Sequence, residues 1–173
     1  MNVSTIVELV SAVTLVGGFL FAIVQLRQHR ADSDKETALE LLRSFQTPEL
    51  ARALRAVYNL PDGLSKREIE ERLADSMDPV YALMTTWESI GILVYRGQLS
   101  LDLVEDFFSG PVRISWRRLQ GYVQGEREEQ ARDTIEEWFE WLNDQIARRE
   151  SAQPPVPAHV EHRTWRPRAR GRG

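Results

Sequence analysis

The feature that most constrains this chain is an uncharged apolar stretch near its N-terminus, from Leu9 to Leu26. Most of its side chains, eleven in all, are Leu, Ile, Val or Phe. As a helix the stretch is about 27 Å long, close to the roughly 30 Å thickness of the hydrocarbon core of a bilayer. Inserting that many large apolar side chains contributes about −3 to −7 kcal/mol. The stretch therefore predicts a single transmembrane helix over about residues 5–26, within an anchor region of residues 1–30.

Two other interpretations of the stretch are a cleaved signal peptide and a buried core helix. A signal peptide needs a basic start and a small-x-small cleavage site, but residues 1–8 contain no Lys or Arg and the stretch ends Phe-Ala-Ile-Val-Gln-Leu. A core helix seldom lacks a polar face over so many consecutive turns. The spanning interpretation is therefore preferred to both.

The charges beside the stretch predict its orientation. Arg27, Arg30 and Lys35 follow it and nothing basic precedes it. The positive-inside rule therefore places the N-terminus outside and residues 27–173 in the cytoplasm, as a single-pass protein of the cell membrane.

A stripe of small residues runs along the predicted membrane helix. Thr14, Gly18 and Ala22 lie four residues apart, and such stripes let two membrane helices approach closely. They predict a homo-oligomer packed through this helix. The alternative is that small residues are simply common in membrane helices, and the sequence does not choose between the two.

The rest of the chain predicts an all-α domain over residues 31–150. No stretch alternates with a period of two, whereas apolar residues recur with helical spacing. The boundaries rest on an N-cap at Thr47-Pro48, a capping box at Ser65–Glu68, a start at Asp78-Pro79, a break at Gly110-Pro111 and a last helix from Glu126 to about Arg149. Six or seven short helices closing one compact bundle are expected.

The composition changes at residue 151, where prolines and then arginines replace the apolar residues. Residues 151–173 are therefore predicted to be a disordered tail. Six of its side chains suit an anionic lipid surface, namely Arg163, Trp165, Arg166, Arg168, Arg170 and Arg172. A solvated end without a partner, or binding to nucleic acid by the tail alone, are the alternatives. Residues 1–150 hold 17 basic and 25 acidic side chains, so nucleic acid is not expected to bind the body.

The segment from Trp87 to Val104 reads Trp-Glu-Ser-Ile-Gly-Ile-Leu-Val-Tyr-Arg-Gly-Gln-Leu-Ser-Leu-Asp-Leu-Val, and Trp116 and an aromatic terminal helix follow it. This segment resembles a bacterial family of unknown function, and the resemblance covers residues 5 to about 148. The resemblance implies one N-terminal membrane helix in the inner membrane and a helical cytoplasmic domain. It implies no activity, because the shared residues are core and turn residues.

No catalytic, cofactor or metal site is predicted. The chain has no cysteine, and its three histidines are His29, His159 and His162. His159 and His162 have ligand-like spacing, but two ligands are too few for structural zinc. No glycine-rich phosphate loop occurs. Four tryptophans at helical spacing are interpreted as core rather than as a ligand cage; they are Trp87, Trp116, Trp138 and Trp141.

One carboxylate borders an apolar helical stripe. Glu88 has Met84 and Ile92 one turn away on either side, so it is predicted to be partly buried and to need a partner. The hypothesis is a structural ion pair with Arg113, Arg117 or Arg118; the alternative is a general base. The glutamates of the last predicted helix, Glu136, Glu137 and Glu140, are interpreted as a solvated face.

Two functions follow from these patterns. The first is a membrane-anchored, non-catalytic interaction or scaffold module with an unknown protein partner, besides the lipid bilayer. The second is a membrane-tethered enzyme with a carboxylate and arginine site around Glu88. A pocket in which Glu88 and Arg117 converge favours the enzyme, and a solid core with an exposed apolar patch favours the module.

Overall fold

The computed structural model describes residues 47–166, and these residues form helices joined by short turns. Five α-helices have eight residues or more, and a four-residue helix lies in the tail. In chain order they are α1 (Pro48–Tyr58), α2 (Lys66–Leu73), α3 (Met77–Tyr95), α4 (Leu101–Gln130), α5 (Glu137–Ala152) and α6 (Ala158–Glu161). A 3₁₀ turn, Ala74–Ser76, joins α2 to α3. The predicted all-helical character is confirmed for this part of the chain.

The first two helices begin where their capping residues predict. The hydroxyl of Thr47 accepts the backbone N–H of Leu50 at 3.2 Å, with Pro48 in the first turn of α1. At the start of α2, the Ser65 hydroxyl faces the backbone of Glu68 and the Glu68 carboxylate accepts the Ser65 N–H at 2.9 Å. Each cap satisfies N–H groups that a helix start leaves without a partner.

Helix α3 lies at the centre of the described bundle and packs against α1 and α5. Its apolar residues at helical spacing are buried, namely Val80, Leu83, Met84, Trp87, Ile90 and Gly91, and Val94 is partly buried. From α5 the buried side chains are Phe139, Leu142, Asn143 and Ile146. Fully burying each large apolar side chain contributes about 1.5–3 kcal/mol, so the contact of α3 with α5 is a main source of stability.

A glycine sets the distance between α3 and α5. A Cβ at Gly91 would overlap the carbonyl oxygen of Trp138. Likewise, a Cβ at Gly121 in α4 would overlap the carbonyl oxygen of Leu64. Because backbone faces backbone at Gly91, the first turn of α5 is held close against α3.

The predicted helix break at Gly110-Pro111 is wrong, because α4 runs unbroken for 30 residues with Pro111 inside it. Proline in a helix interior removes one hydrogen bond and costs about 3 kcal/mol. Buried residues lie on both sides of it, among them Phe108, Val112 and Leu119. Packing along the whole helix outweighs the local cost.

The predicted single helix from Glu126 to Arg149 is also wrong. Helix α4 ends at Gln130, and α5 begins at Glu137. Ala131, which lies within the predicted helix, is exposed and has a left-handed backbone with φ 47°. The intervening turn ends at Glu136, whose φ of 53° is also left-handed.

The prediction of a single-pass membrane protein is corrected. Among residues 47–166, no helix is long and apolar enough to cross a membrane. The predicted span, residues 5–26, and its stripe of Thr14, Gly18 and Ala22 lie outside the described residues. The predicted membrane helix, the inner-membrane location and the orientation with the N-terminus outside are withdrawn on this finding.

Candidate functional site

Three aromatic side chains form an exposed cluster where α3 ends beside the start of α5. The ring of Tyr95 lies 4.6 Å from that of Trp138 and 5.9 Å from that of Trp141, centroid to centroid. The two indole rings are 6.0 Å apart at 68°. Tyr95 is 63% exposed, whereas the tryptophans are half-buried. We call Tyr95, Trp138 and Trp141 the aromatic platform.

The local sequence explains why the platform forms. Tyr95 is the last residue of α3, and Arg96 and Gly97 turn the chain away after it. Trp138 and Trp141 lie one turn apart in α5, so their rings share one side of that helix. The close approach at Gly91 then brings Trp138 under Tyr95. The platform is built on two helices, and no loop residue contributes a ring.

The platform has an acidic border. Residues 137–147 of α5 contain three carboxylates and no basic side chain. Glu137 and Asp144 are exposed, each within one turn of Trp141. Glu140 is bound by Arg127, whose Nη1 donates to it at 2.7 Å. The nearest basic residues in sequence are Arg96, next to Tyr95, and Arg132 and Arg148, on either side of residues 137–147.

A pair of carboxylates, Glu88 and Glu136, lies at the start of α5, on the core side of the platform. Glu88 Oε2 accepts the backbone N–H of Phe139 at 2.8 Å. Burial raises the pKa of Glu88, while the backbone N–H groups of Phe139 and Trp138 lower it. Glu88 therefore caps the N-terminus of α5 from the neighbouring helix, where a negative charge is favoured.

Glu136 is the more perturbed member of the carboxylate pair. Its pKa is raised to about 7, mainly by burial and also by the nearby charge of Glu88, while Arg127 opposes both. Its Oε2 is buried and has no hydrogen-bond partner among the described residues. The raised pKa means that Glu136 keeps its proton to a higher pH than an ordinary glutamate does. Glu136 also lines a cleft of about 280 Å³ with Tyr81 and Tyr122.

Arg127 ties the turn before α5 to the end of α4. Its Nε donates to the carbonyl oxygen of Ile135 at 2.9 Å, while its Nη1 binds Glu140. The left-handed backbone of Glu136, which costs a non-glycine residue roughly 1 kcal/mol or more, is held between these two contacts.

Glu88 is partly buried, but the structure gives the three arginines considered as its partners other contacts. Arg113 donates to Asn143 at 2.6 Å and pairs with Glu150 at 3.2 Å. Arg117 and Arg118 both pair with Asp62, at 3.1 and 2.7 Å. Arg113 and Arg117 line a cavity of about 450 Å³ whose described walls do not include Glu88. The structure thus does not bring Glu88 and Arg117 together in one pocket.

The predicted tail residues are only partly described. Arg163, Trp165 and Arg166 are exposed, Trp165 to 67%. Arg168, Arg170 and Arg172 lie outside the described residues. Residues 151–166 are exposed throughout.

Two residues of the site were missed in the sequence. Glu136 was placed on a solvated helix face because the turn before α5 was not predicted; Asp133 and Thr134, residue types that favour helix starts, were the available signal. Tyr95 stands outside the buried stripe of α3, and no sequence pattern indicated that Trp138 and Trp141 would stack against it.

Comparison with known proteins gives a family but no activity. No curated protein and no solved structure matches the chain. A family model described as a domain of unknown function, DUF4760, matches residues 12–146. The match confirms the resemblance to a family of unknown function, whereas bacterial origin and a membrane helix are not part of what it shows. The chain, with most of its length inside this match, belongs to the DUF4760 family.

Proposed function

We propose that this domain is a non-catalytic protein-interaction module that binds an arginine- or lysine-bearing segment of a partner protein on the aromatic platform. The observation that carries the proposal is the exposed Tyr95 ring, which packs at a tilt against Trp138 and edge-on against Trp141 where two helices meet. Tyrosine and tryptophan dominate the few residues that supply most of the energy of protein interfaces.

The platform meets the physical requirements of such a contact. Its rings are supported by helices on both sides, so binding costs little side-chain ordering. Gly91 fixes the distance between the helices, and Trp138 and Trp141 are already half-buried. A partner side chain laid on Tyr95 therefore meets a surface that is formed in advance.

The charge around the platform selects the partner. Exposed Glu137 and Asp144 border the rings, and no basic residue lies among residues 137–147. A cation over an aromatic ring gains about 0.5–1 kcal/mol at an exposed site and about 2 kcal/mol where it is desolvated. Carboxylates at the border add charge complementarity, which raises the association rate and excludes acidic partners.

The enzyme alternative has less support. It required Glu88 and an arginine to converge in a pocket, whereas Glu88 accepts a backbone N–H from α5 and Arg117 binds Asp62. Among residues 47–166, no group of His, Asp and Glu side chains could hold a metal ion. These contacts give Glu88 a structural role at the start of α5.

The proposal is tested with the full-length chain and a short fluorescein-labelled peptide that carries four arginines and two leucines. Tyr95→Ser is expected to weaken binding about ten-fold, because loss of a central aromatic contact costs roughly 1.4 kcal/mol or more. Tyr81→Ser is the matched control, since Tyr81 is 58% exposed on the same helix. Fluorescence anisotropy gives both dissociation constants.

A second pair of variants tests the charge. Glu137→Gln with Asp144→Asn is expected to weaken binding about three- to ten-fold, and Glu128→Gln with Asp75→Asn, at exposed positions elsewhere, is expected to leave it unchanged. Equal binding by the Tyr95 and Tyr81 variants, or equal binding of a peptide with glutamate in place of arginine, refutes the proposed function.

A further inference from the structure

We propose that the chain's own arginine tail, the segment 163–173 with Arg163, Trp165, Arg166, Arg168, Arg170 and Arg172, occupies the aromatic platform of the same molecule and competes there with the partner segment. This inference rests on the proposed function, because it assigns to that site an occupant which regulates it.

The chemistry of the tail matches the chemistry of the platform. Residues 163–173 contain five arginines and no acidic residue. Residues 1–150 hold 17 basic and 25 acidic side chains, a net charge of −8. Guanidinium groups stack on tryptophan and tyrosine more readily than other cations do, and they also pair with carboxylates. The platform with its acidic border offers both kinds of contact.

The contacts described for the first part of the tail are weak. Pro154 to His162 lie beside the start of α4 and line a cleft of about 670 Å³ with Glu105, Asp106 and Arg149. The large apolar side chains of this part of the tail stay mostly in water, because Val156, Val160 and Trp165 are 51, 55 and 67% exposed. Trp165 and Arg166 therefore remain available for another surface.

The length of the chain permits the contact. Helix α5 has 16 residues and is about 24 Å long, with the platform at its first turns and the tail at its end. Eleven residues follow His162, and when extended they reach about 36 Å. Arg170 and Arg172, eight and ten residues beyond His162, thus reach about 26–33 Å from it, which exceeds the length of α5.

Tethering favours the same molecule over a second copy. A random-coil chain of 21 residues, the number from Gln153 to Gly173, has a root-mean-square end-to-end distance of about 25 Å, which matches the length of α5. A match of this kind gives an effective concentration in the millimolar range. A second copy at micromolar concentration competes poorly with it.

The test uses disulfide formation, which has no background because the chain contains no cysteine. Gln145→Cys, one turn beyond Trp141, is combined with Ala169→Cys in the full-length chain; the matched control combines Gln124→Cys, on the exposed side of α4, with Ala169→Cys. Under mild oxidation the first pair is expected to close within one molecule at least ten-fold faster than the control. Tyr95→Ser is expected to bring the rate down towards the control.

A second measurement asks whether the tail regulates the site. In the full-length chain all five tail arginines are replaced by glutamine, and binding of the same arginine peptide is measured again. The affinity is expected to rise about ten-fold, as expected when a weak tethered competitor is removed.

Each result has a distinct meaning. Equal disulfide rates, with peptide affinity independent of the tail arginines, overturn this inference, while peptide binding that still depends on Tyr95 leaves the proposed function intact. Disulfide-linked dimers formed instead of closed monomers assign the tail to a second copy and overturn it as well. Binding of the tail to phosphatidylglycerol vesicles or a DNA duplex, with the cysteine pair no faster than its control, overturns it in favour of an anionic partner. Fast closure without any peptide binding supports the tail contact and refutes only the proposed function.

Discussion

The aromatic platform and the carboxylate pair use the same first turn of α5 in opposite ways. On the outside, the ring of Trp138 stacks against the exposed Tyr95. On the inside, the backbone N–H of Phe139 donates to Glu88, and the partly buried Glu136 lies close to Glu88. The aromatic platform, which we call the outer region, exposes aromatic rings to water. The carboxylate pair, which we call the inner region, holds acidic groups that are partly removed from water. The partly buried Glu88 therefore holds the helix turn that carries the exposed surface.

The contact that serves both regions is the backbone approach at Gly91. Gly91→Ala is expected to destabilise the fold by about 3 kcal/mol, because its Cβ would overlap the rigid carbonyl of Trp138 and force α5 outward. Urea unfolding followed by circular dichroism measures this loss.

Gly110→Ala is the control, since a Cβ at Gly110 meets nothing within 4 Å in the middle of a helix. It is expected to raise the free energy of unfolding by up to about 1 kcal/mol. If the two alanine variants are equally stable, the platform does not depend on the approach of α3 to α5.

Removing the inner carboxylate is expected to have the next largest effect. Glu88→Ala leaves the N–H of Phe139 without its acceptor and is expected to cost about 2 kcal/mol. Glu88→Gln keeps an acceptor oxygen and is expected to cost less than about 1 kcal/mol. Hydrogen exchange at the amide of Phe139 distinguishes them, because only the alanine variant should lose protection.

The second inner carboxylate makes stability depend on pH. The folded pKa of Glu136, about 7, is above its unfolded value of 4.5. The stability that protonated Glu136 contributes to the folded state is therefore fully present below pH 4.5 and is lost as the pH rises through 7. Glu136→Gln is expected to be more stable than the parent by about 1–2 kcal/mol at pH 8, after allowing for the water that still reaches this group. Below pH 4.5 the difference should vanish.

Unfolding curves at several pH values separate Glu136 from other groups. The pKa of Glu88 is also raised, so Glu88 changes the pH dependence of stability in the same direction in the parent and in Glu136→Gln. Glu68 and Glu126 have lowered pKa values, so the stability they contribute is lost only as the pH falls below 4.5. A difference between parent and Glu136→Gln that does not change from pH 4 to pH 8 would show that burial does not perturb this carboxylate.

Salt is expected to affect the outer region alone, and with the smallest energy. Raising NaCl from about 50 to about 500 mM should weaken binding of the arginine peptide about three- to five-fold, less than about 1 kcal/mol, because Glu137 and Asp144 are exposed and screened. The energy difference between Glu88→Ala and Glu88→Gln should change little, since that contact is shielded from solvent. Equal salt sensitivity of both measurements would contradict the division into an outer and an inner region.

Helix positions that depend on local chemistry were predictable from the sequence. The Thr47 cap, the Ser65–Glu68 capping box and the buried stripe of α3 each follow from residues within one or two turns. Pro111 misled the prediction because its local preference opposes a helix, and only packing by residues distant in sequence reverses that preference. The turn at residues 131–136 was missed for a similar reason, since Arg127 holds it through Ile135 and Glu140.

The candidate site was less predictable than the fold. Glu88 was recognised as partly buried from its place beside an apolar stripe, but its acceptor role requires a backbone N–H 51 residues away. The contact of Tyr95 with Trp138 depends on the spacing set by Gly91. Periodicity gives the face of a helix, not which helix will pack against that face, and the perturbed pKa of Glu136 follows from that packing.

The central place of α3 also governs how the chain folds during synthesis. Its buried face packs on α5, and the whole of α4 lies between the two helices in the sequence. At a translation rate of about 5–20 residues per second, the ribosome makes α3 roughly 2–8 s before the start of α5. During that interval the buried face of α3 is not yet covered by α5, so the nascent chain presents chaperones with an apolar segment that the finished protein conceals.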